Sequence, residues 1–388
     1  MGEKYWEYGK VIWHVFIDFS QAYDSVHRES LWRILSSFRI PPKLIRLVKS
    51  CYQNTNGRVR VGGQLSEPFN IGSGLKQGCP LSTILFNIAL EWVMRETPMP
   101  NDPVLIGDSP CDRLAYADDV DLMGEHFILR DHQVTSFRHN SRRIGLEAKE
   151  SKTKAMVQSR VARDVDFVDI GDLLLEVVDH FKYLGSNISH DNTIDMELHA
   201  RTTAANKAYW SLKDIFKSKS VSHALKLQLY MCIIRPIATY GSETWTLTKR
   251  HEAKLDVFEN NILRKIYGPV FDEEEQALRV RHNAELRERS RLPLLSNFVR
   301  STRLRWAGHV ARMDEASLCR RVMEGRPLGR RPVGRPRLRW RDTVVSDLRL
   351  LGVDNPDDWL QLAQDRRGWR NLVLAAKDPI GLQPRECE

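Results

Sequence analysis

Leu114-Ala115-Tyr116-Ala117-Asp118-Asp119-Val120-Asp121-Leu122-Met123 sets two adjacent acids between apolar stretches. Flanks rich in Leu, Val, Tyr and Ala read as two short strands, which puts the acidic pair on the turn of a β-hairpin. Neighbouring carboxylates repel one another, and a hard divalent cation such as Mg²⁺ relieves this by taking a few carboxylates together with substrate phosphates. A solvated turn is the plainer alternative, because Asp tolerates turn backbone geometry.

A second acidic patch changes the balance. In Val11-Ile12-Trp13-His14-Val15-Phe16-Ile17-Asp18-Phe19-Ser20-Gln21-Ala22-Tyr23-Asp24, Asp18 ends a β-branched and aromatic run suited to a central strand buried on both faces. If this strand lies beside the hairpin, the carboxylates converge as a cage for two cations roughly 3.5–4 Å apart, the geometry of in-line phosphoryl or nucleotidyl transfer. Between the patches, Gly72-Ser73-Gly74-Leu75-Lys76-Gln77-Gly78-Cys79-Pro80-Leu81-Ser82 reads as a glycine-rich loop opening a helix. Leu81, Ile84, Leu85, Ile88, Ala89 and Trp92 repeat at helical spacing and are expected to form its core face.

These motifs, in this order, resemble a reverse transcriptase of a non-long-terminal-repeat (LINE-type) retrotransposon, and the tail resembles the RTE-like group. The resemblance rests on Phe16-Ile17-Asp18-Phe19 through Val26, on Gly74 to Ser82 and on Tyr116-Ala117-Asp118-Asp119. Two weaker boxes follow, Gly145-Leu146 with Lys152-Thr153-Lys154, then Phe181-Lys182-Tyr183-Leu184-Gly185. Downstream, Tyr240-Gly241-Ser242-Glu243-Thr244-Trp245, Leu304 to Met313 and Gly334-Arg335-Pro336-Arg337 resemble later parts of such elements.

The resemblance implies an α+β palm with an antiparallel sheet and packing helices over 1–190. A helical thumb-like region over 191–270 would follow, then a basic, mostly helical region over 271–388. It implies RNA-directed DNA polymerase activity, with RNA template, DNA primer and deoxynucleoside triphosphates as partners. Asp18, Asp118 and Asp119, with the Phe19 carbonyl, would hold two Mg²⁺, and the same oxygen ligands accept Mn²⁺. Tyr23 would exclude ribonucleotides, Gln77 and Gly78 would contact nucleotide and template, and Lys152 would protonate pyrophosphate. Phe181, Tyr183, Leu184 and Gly185 would grip the primer. Thr83 stands where a proline is usual and Lys149 where an asparagine is. Only seventeen residues precede Asp18, so the expectation is an amino-terminally truncated product, or an incomplete gene model, without fingers or endonuclease. The alternative is a catalytically dead nucleic-acid-binding remnant.

Composition agrees with a nucleic-acid protein. The chain has 388 residues, 42% hydrophobic content and a net charge of +9. Six scattered cysteines form neither a zinc module nor a disulfide framework, and no signal-peptide or membrane-spanning run is visible. The expected location is intracellular, nucleus or cytoplasm.

Helical spacing at Leu31, Ile34, Leu35 and Phe38, and at Leu44, Leu47, Val48 and Cys51, supplies helices to back the sheet. From residue 193 the pattern turns helical: Leu212, Ile215 and Phe216; Leu225, Leu229, Cys232 and Ile233; Leu255, Phe258, Ile262, Leu263 and Ile266. Residues 286–349 hold seventeen arginines, no lysine and six acids, so the rest of the chain is slightly acidic. Prolines block helix in 325–341, which is expected to be an extended arm. Its Arg326, Arg330, Arg331, Arg335, Arg337, Arg339 and Arg341, with Trp306 and Trp340 nearby, suit phosphates and stacked bases. A nuclear-import signal is an equally simple reading.

Overall fold

Ile12–Ile17 (β1) is buried at five of its six positions, as an apolar β-branched strand at the centre of a sheet should be. The computed structural model describes residues 1–100, 103–107, 109–125, 132–161, 165–170, 173–334 and 337–377. These divide into two units, Met1–Leu184 with Pro327–Arg331, and Gly185–Arg326 with the residues from Pro332 onward.

In the first unit β1 leads through a single turn, Ala22–Ser25 (α1), into Arg28–Ser37 (α2) and Pro42–Tyr52 (α3). The long helix Pro80–Glu96 (α4) follows the glycine-rich loop, with Pro80 at its first position. Arg113–Tyr116 (β2) and Asp119–Gly124 (β3) make the hairpin. After His132–Arg143 (α5) come Lys154–Gln158 (β4), Phe167–Ile170 (β5), Leu173–Glu176 (β6) and His180–Tyr183 (β7). The main sheet is antiparallel, in the order β4-β1-β3-β2.

The two faces of this sheet differ in chemistry. Val15 and Ile17 of β1, Val120 and Leu122 of β3, and Ala155 and Val157 of β4 join one apolar cluster with Leu31, Leu35, Phe86, Leu90, Val93 and Phe137 of the helices. The alternate positions, His14 and Phe16 on β1, Asp18 just beyond its end, and Asp119 and Asp121 on β3, fall on the other face.

Two helices turn a different face to the core from the one their spacing suggested. On α3, Leu44 and Leu47 are half exposed and Cys51 is exposed, whereas Ile45 and Tyr52 are buried. Tyr52 fixes that phase: its hydroxyl meets Ser82 Oγ at 3.1 Å and its ring lies edge-on to Trp32. On α4, Ile84 is exposed and the buried set is Leu85, Phe86, Ala89, Leu90 and Val93. Phe86 stacks on Tyr23 at 4.6 Å, which rotates the helix toward that position.

The second unit begins with Ser186–Ser189 (β8) and is mostly helical: Asp195–Ser211 (α6), Lys249–Tyr267 (α7), Asn283–Ser290 (α8), Leu295–Ala311 (α9), Trp340–Leu350 (α10) and Arg366–Ala375 (α11), with a short antiparallel hairpin, Val270–Asp272 against Ala277–Arg279, between α7 and α8. The expected face on α7 is buried throughout, at Leu255, Phe258, Ile262, Leu263 and Ile266. In the preceding helix the expected Leu225, Cys232 and Ile233 are exposed, while Tyr230, Ile234 and Ala238 are buried. Leu225 lies in the first turn of that helix, and a π-helical turn over Tyr230–Ile234 shifts the phase at Cys232 and Ile233, just ahead of Pro236, which has no N–H to give.

The unit is not interrupted at residue 270. Arg287 of α8 reaches back to α7, bonding Glu259 Oε2 and Asn260 Oδ1, each at 2.6 Å. Arg300 and Arg303 share the buried Asp347 at 2.9 and 2.8 Å. Several arginines of the basic region are therefore structural counter-ions. Among the described residues no helix is long and apolar enough to cross a membrane.

Candidate functional site

Strand register assembles the acids. Ile17 pairs with Val120 and Tyr116 with Asp119, so continuing the ladder sets Asp18 opposite Asp119 at the open end of the sheet. The turn itself is Ala117-Asp118, so Asp118 sits at the tip and Asp119 opens β3 rather than sharing the turn. Ala117 has φ +52°, a left-handed conformation that costs a non-glycine residue about 1–2 kcal/mol. Burial pushes the Asp119 carboxyl up, and the charges of Asp118 and Asp18 push it further. Burial likewise raises the Tyr23 phenol, with Asp118 adding to it.

Asp18 is held from the β4 side. Lys149 N–H donates to the Asp18 carbonyl at 2.7 Å, Ser20 N–H to that of Glu147 at 2.9 Å, and Phe19 bridges Ala148 between them. In such a pair the residue's own amide groups point away from its partner, which turns the Phe19 carbonyl toward the hairpin side. Gly145 makes the docking possible: at φ +85°, any Cβ there would overlap the Ser25 carbonyl. Thus the weak Gly145-Leu146 and Lys152 boxes are the segment that braces Asp18.

The expected cage of Asp18, Phe19, Asp118 and Asp119 is not closed. Among the described residues no three carboxylate, imidazole or thiolate groups converge closely enough to hold an ion. Lys152 Nζ instead sits 3.3 Å from Asp18 Oδ2, supplying positive charge to that carboxylate. The donor chemistry still suits a hard divalent cation, because every candidate ligand is oxygen.

Tyr23 lies flat on Phe86, and a cavity of about 430 Å³ opens beside it, with Thr83, Asn87, Tyr116 and Ala117 among its walls. The glycine-rich loop docks on the turn after Asp18: Leu75 N–H donates to the Tyr23 carbonyl at 2.7 Å and Gly74 N–H to that of Val26 at 2.9 Å. Gln77 Nε2 donates to both Asp24 oxygens at 3.2 Å, so the expected nucleotide contact is anchored by an acid. Gly78 takes φ +82°, and nothing lies within 4 Å of the place a Cβ would occupy there.

On the polar face of the sheet, Phe181 stacks on Phe16 at 4.0 Å and Tyr183 lies 5.8 Å from it. Burial raises the Tyr183 phenol, with Asp121 and then Asp119 adding to the shift. Leu184 and Gly185 both have positive φ, +47° and +83°, the signature of a type I′ turn. The unit boundary falls between them. In the second unit, Gly185 is backed by Tyr240, its carbonyl accepts from Arg201, and the Arg201 guanidinium stacks over Tyr240 at 4.6 Å. Gly241 stands where a side chain would overlap Ser186 Oγ.

Sequence reasoning missed the buried pair behind the acids. His14 Nδ1 and Asp121 Oδ2 are 2.9 Å apart, and His14 Nε2 finds no partner among the described residues. Burial raises the Asp121 carboxyl, opposed by His14. The signal was the alternation of His14 and Asp121 in phase with Asp18 and Asp119 inside otherwise apolar strands.

The basic arm is less free than expected. Arg331 pairs with Glu7 at 2.9 Å, Arg337 donates to the Asp191 carbonyl at 2.7 Å, and Arg339 pairs with Asp342 at 2.7 Å. Arg326, Arg330 and Arg341 are exposed, while Arg335 lies outside the described residues. Trp340 and Arg341 begin α10, so the arm ends before them. Trp340 is not available for stacking on bases: its indole N–H donates to the Glu243 carbonyl at 2.8 Å and its ring packs on Trp359.

Residues 3–188 match the reverse transcriptase (RNA-dependent DNA polymerase) family, so the chain carries a reverse transcriptase domain. Its relatives narrow the group. An uncharacterized transposon-derived protein of Caenorhabditis elegans is 29% identical over 267 residues, 67% of this chain and 94% of that one. The Pol polyprotein of the type-1 retrotransposable element R2 from Popillia japonica is 26% identical over 61% of this chain and 34% of its own length. The RNA-directed DNA polymerase from mobile element jockey of Drosophila melanogaster is 22% identical over 65% of this chain and 28% of its own. The R2 and jockey relatives are of the non-long-terminal-repeat retrotransposon type, which agrees with the resemblance read from the motifs. The chain spans about a third of the R2 and jockey proteins that it matches.

Proposed function

We propose that the chain extends a DNA primer on an RNA template, joining deoxynucleotides at the open end of the β4-β1-β3-β2 sheet. The observation that carries this reading is the strand register that sets Asp18 opposite Asp119 with Asp118 at the tip. Asp18, Asp118, Asp119 and the Phe19 carbonyl would hold two Mg²⁺ or Mn²⁺. When bound, these cations lower the barrier to deprotonating the primer 3′-hydroxyl and offset charge on the triphosphate.

The chain's own residues position the reactants. The Tyr23 ring, fixed against Phe86, meets a ribose 2′-hydroxyl by clash and admits a deoxyribose. Gln77, tethered to Asp24, and Gly78 contact nucleotide and template. Lys152, kept at the site by Asp18, is placed to donate a proton to departing pyrophosphate. The turn at Leu184-Gly185, with Phe181 and Tyr183 behind it, grips the primer.

Primer extension by the purified chain on an RNA template, with Mg²⁺ and deoxynucleotides, tests the reading. Incorporation that Asp118→Asn abolishes is the expected result. Salt-sensitive binding of template and primer with no incorporation by the wild type would instead establish a non-catalytic nucleic-acid-binding remnant.

A further inference from the structure

The stretch Leu304-Arg305-Trp306-Ala307-Gly308-His309-Val310-Ala311-Arg312-Met313 is used on two sides of α9. Leu304, Ala307, Gly308 and Ala311 are buried. A Cβ on Gly308 would overlap the Trp369 indole of α11, whose Nε1 donates to the Leu304 carbonyl at 2.8 Å. At the other phase, Thr302, Arg305, Trp306, His309 and Arg312 line a cavity of about 490 Å³ together with Glu243. All six residues belong to the second unit, and apolar packing does not account for Arg305, Trp306 and His309.

The chemistry of this cavity is specific. Its volume falls within the range of about 300–1,000 Å³ usual for small-ligand sites. Trp306 and His309 present two rings 5.5 Å apart. Arg312 is held in place by its bond to the Ala363 carbonyl at 2.5 Å, while Arg305 is exposed. Two guanidiniums beside two aromatic rings match a phosphate joined to a flat π-system. Glu243 adds an acceptor for an amino group on the edge of a base. An acidic peptide would engage the arginines but leave the rings unused.

We propose that this cavity binds one nucleotide of a single-stranded nucleic acid, with its base against Trp306 and His309 and its phosphate on Arg305 and Arg312. Single strands are the favoured form because a duplex keeps its bases stacked on each other. The site belongs to the second unit and uses none of the aspartates, so it would hold a strand whether or not polymerisation occurs there.

The test is equilibrium binding by the full chain, read by fluorescence anisotropy. The probes are a labelled oligo(C) strand and an abasic phosphodiester strand of equal length. Trp306→Ala is expected to weaken oligo(C) binding roughly tenfold while leaving the abasic strand unchanged, and Trp306→Phe to restore most of the loss. Arg305→Gln is expected to weaken both strands and to reduce the salt dependence by about one phosphate contact. Unchanged oligo(C) binding by Trp306→Ala would overturn the proposal. So would equal losses for both strands in that variant, since phosphate attraction alone would then explain binding. Displacement of oligo(C) by polyglutamate from the wild type but not from Arg305→Gln would assign the cavity to acidic peptides. Because the readout is binding, absence of primer extension would leave these outcomes unaffected.

Discussion

Gly145→Ala tests whether docking of residues 144–149 on 25–27 fixes the backbone of Asp18. At φ +85°, a left-handed conformation costs alanine about 1–2 kcal/mol. The added Cβ would also overlap the Ser25 carbonyl and come within 3.1 Å of the His27 nitrogen, and overpacking of that kind costs about 1–3 kcal/mol. The stiffer unfolded chain offsets roughly 0.4–1 kcal/mol. The net destabilisation is about 2–4 kcal/mol, which for a unit of this size lowers Tm on the order of 10 °C. Gly78→Ala is the control: its φ is +82° but nothing lies within 4 Å, so only the backbone cost applies, about 1 kcal/mol. Thermal unfolding followed by circular dichroism compares the two. Equal shifts, or none for Gly145→Ala, would refute the docking argument.

Other substitutions probe the remaining links. Tyr23→Val removes the ring stacked on Phe86, and primer extension with ribonucleotides should then proceed where the wild type stalls. Gly308→Ala should displace Trp369 and cost about 2–4 kcal/mol, from overpacking and the lost indole hydrogen bond, measured by urea unfolding. Glu285→Gln should destabilise the second unit at neutral pH. Hydrogen bonding to Arg279, then to the His282 N–H, holds the Glu285 carboxyl down at about 2. A depressed folded value means that its stabilisation is present above the unfolded value of about 4.3 and is lost as pH falls toward 2. The wild-type advantage in Tm should therefore fade across that window, and a difference independent of pH would exclude this ion pair as its source.

The order of motifs made the palm legible because each short motif falls at a strand end or turn that the chemistry requires. Asp18 ends β1, Asp118 tips the hairpin, and the Gly145 and Lys152 boxes brace Asp18. Helix existence was also legible, but helix phase was less so. Spacing alone does not distinguish Leu44 and Leu47 from Ile45 and Tyr52, because the choice depends on the distant partners Trp32 and Ser82. The π-helical turn at Tyr230–Ile234 was hidden for a related reason, since one inserted residue breaks a period otherwise read as continuous. Arginine density suggested a free basic surface. The acids that neutralise Arg287, Arg300 and Arg303 come from α7 and α10, far away in sequence or on another helix, and no local charge count reveals them.

The two-faced sheet has a consequence for how accurately the aspartates are placed. A slip of β1 by a single residue would thrust His14, Phe16 and Asp18 into the cluster that holds Leu31, Phe86 and Phe137, and would expel Val15 and Ile17. Such an error is heavily penalised before any substrate arrives, because it would bury the ionisable His14 and Asp18 among apolar side chains. Alignment of Asp18 with Asp119 is thus a by-product of oil-and-water sorting within the strands. A chelator should therefore silence nucleotide addition while leaving the unfolding transition of the first unit where it was.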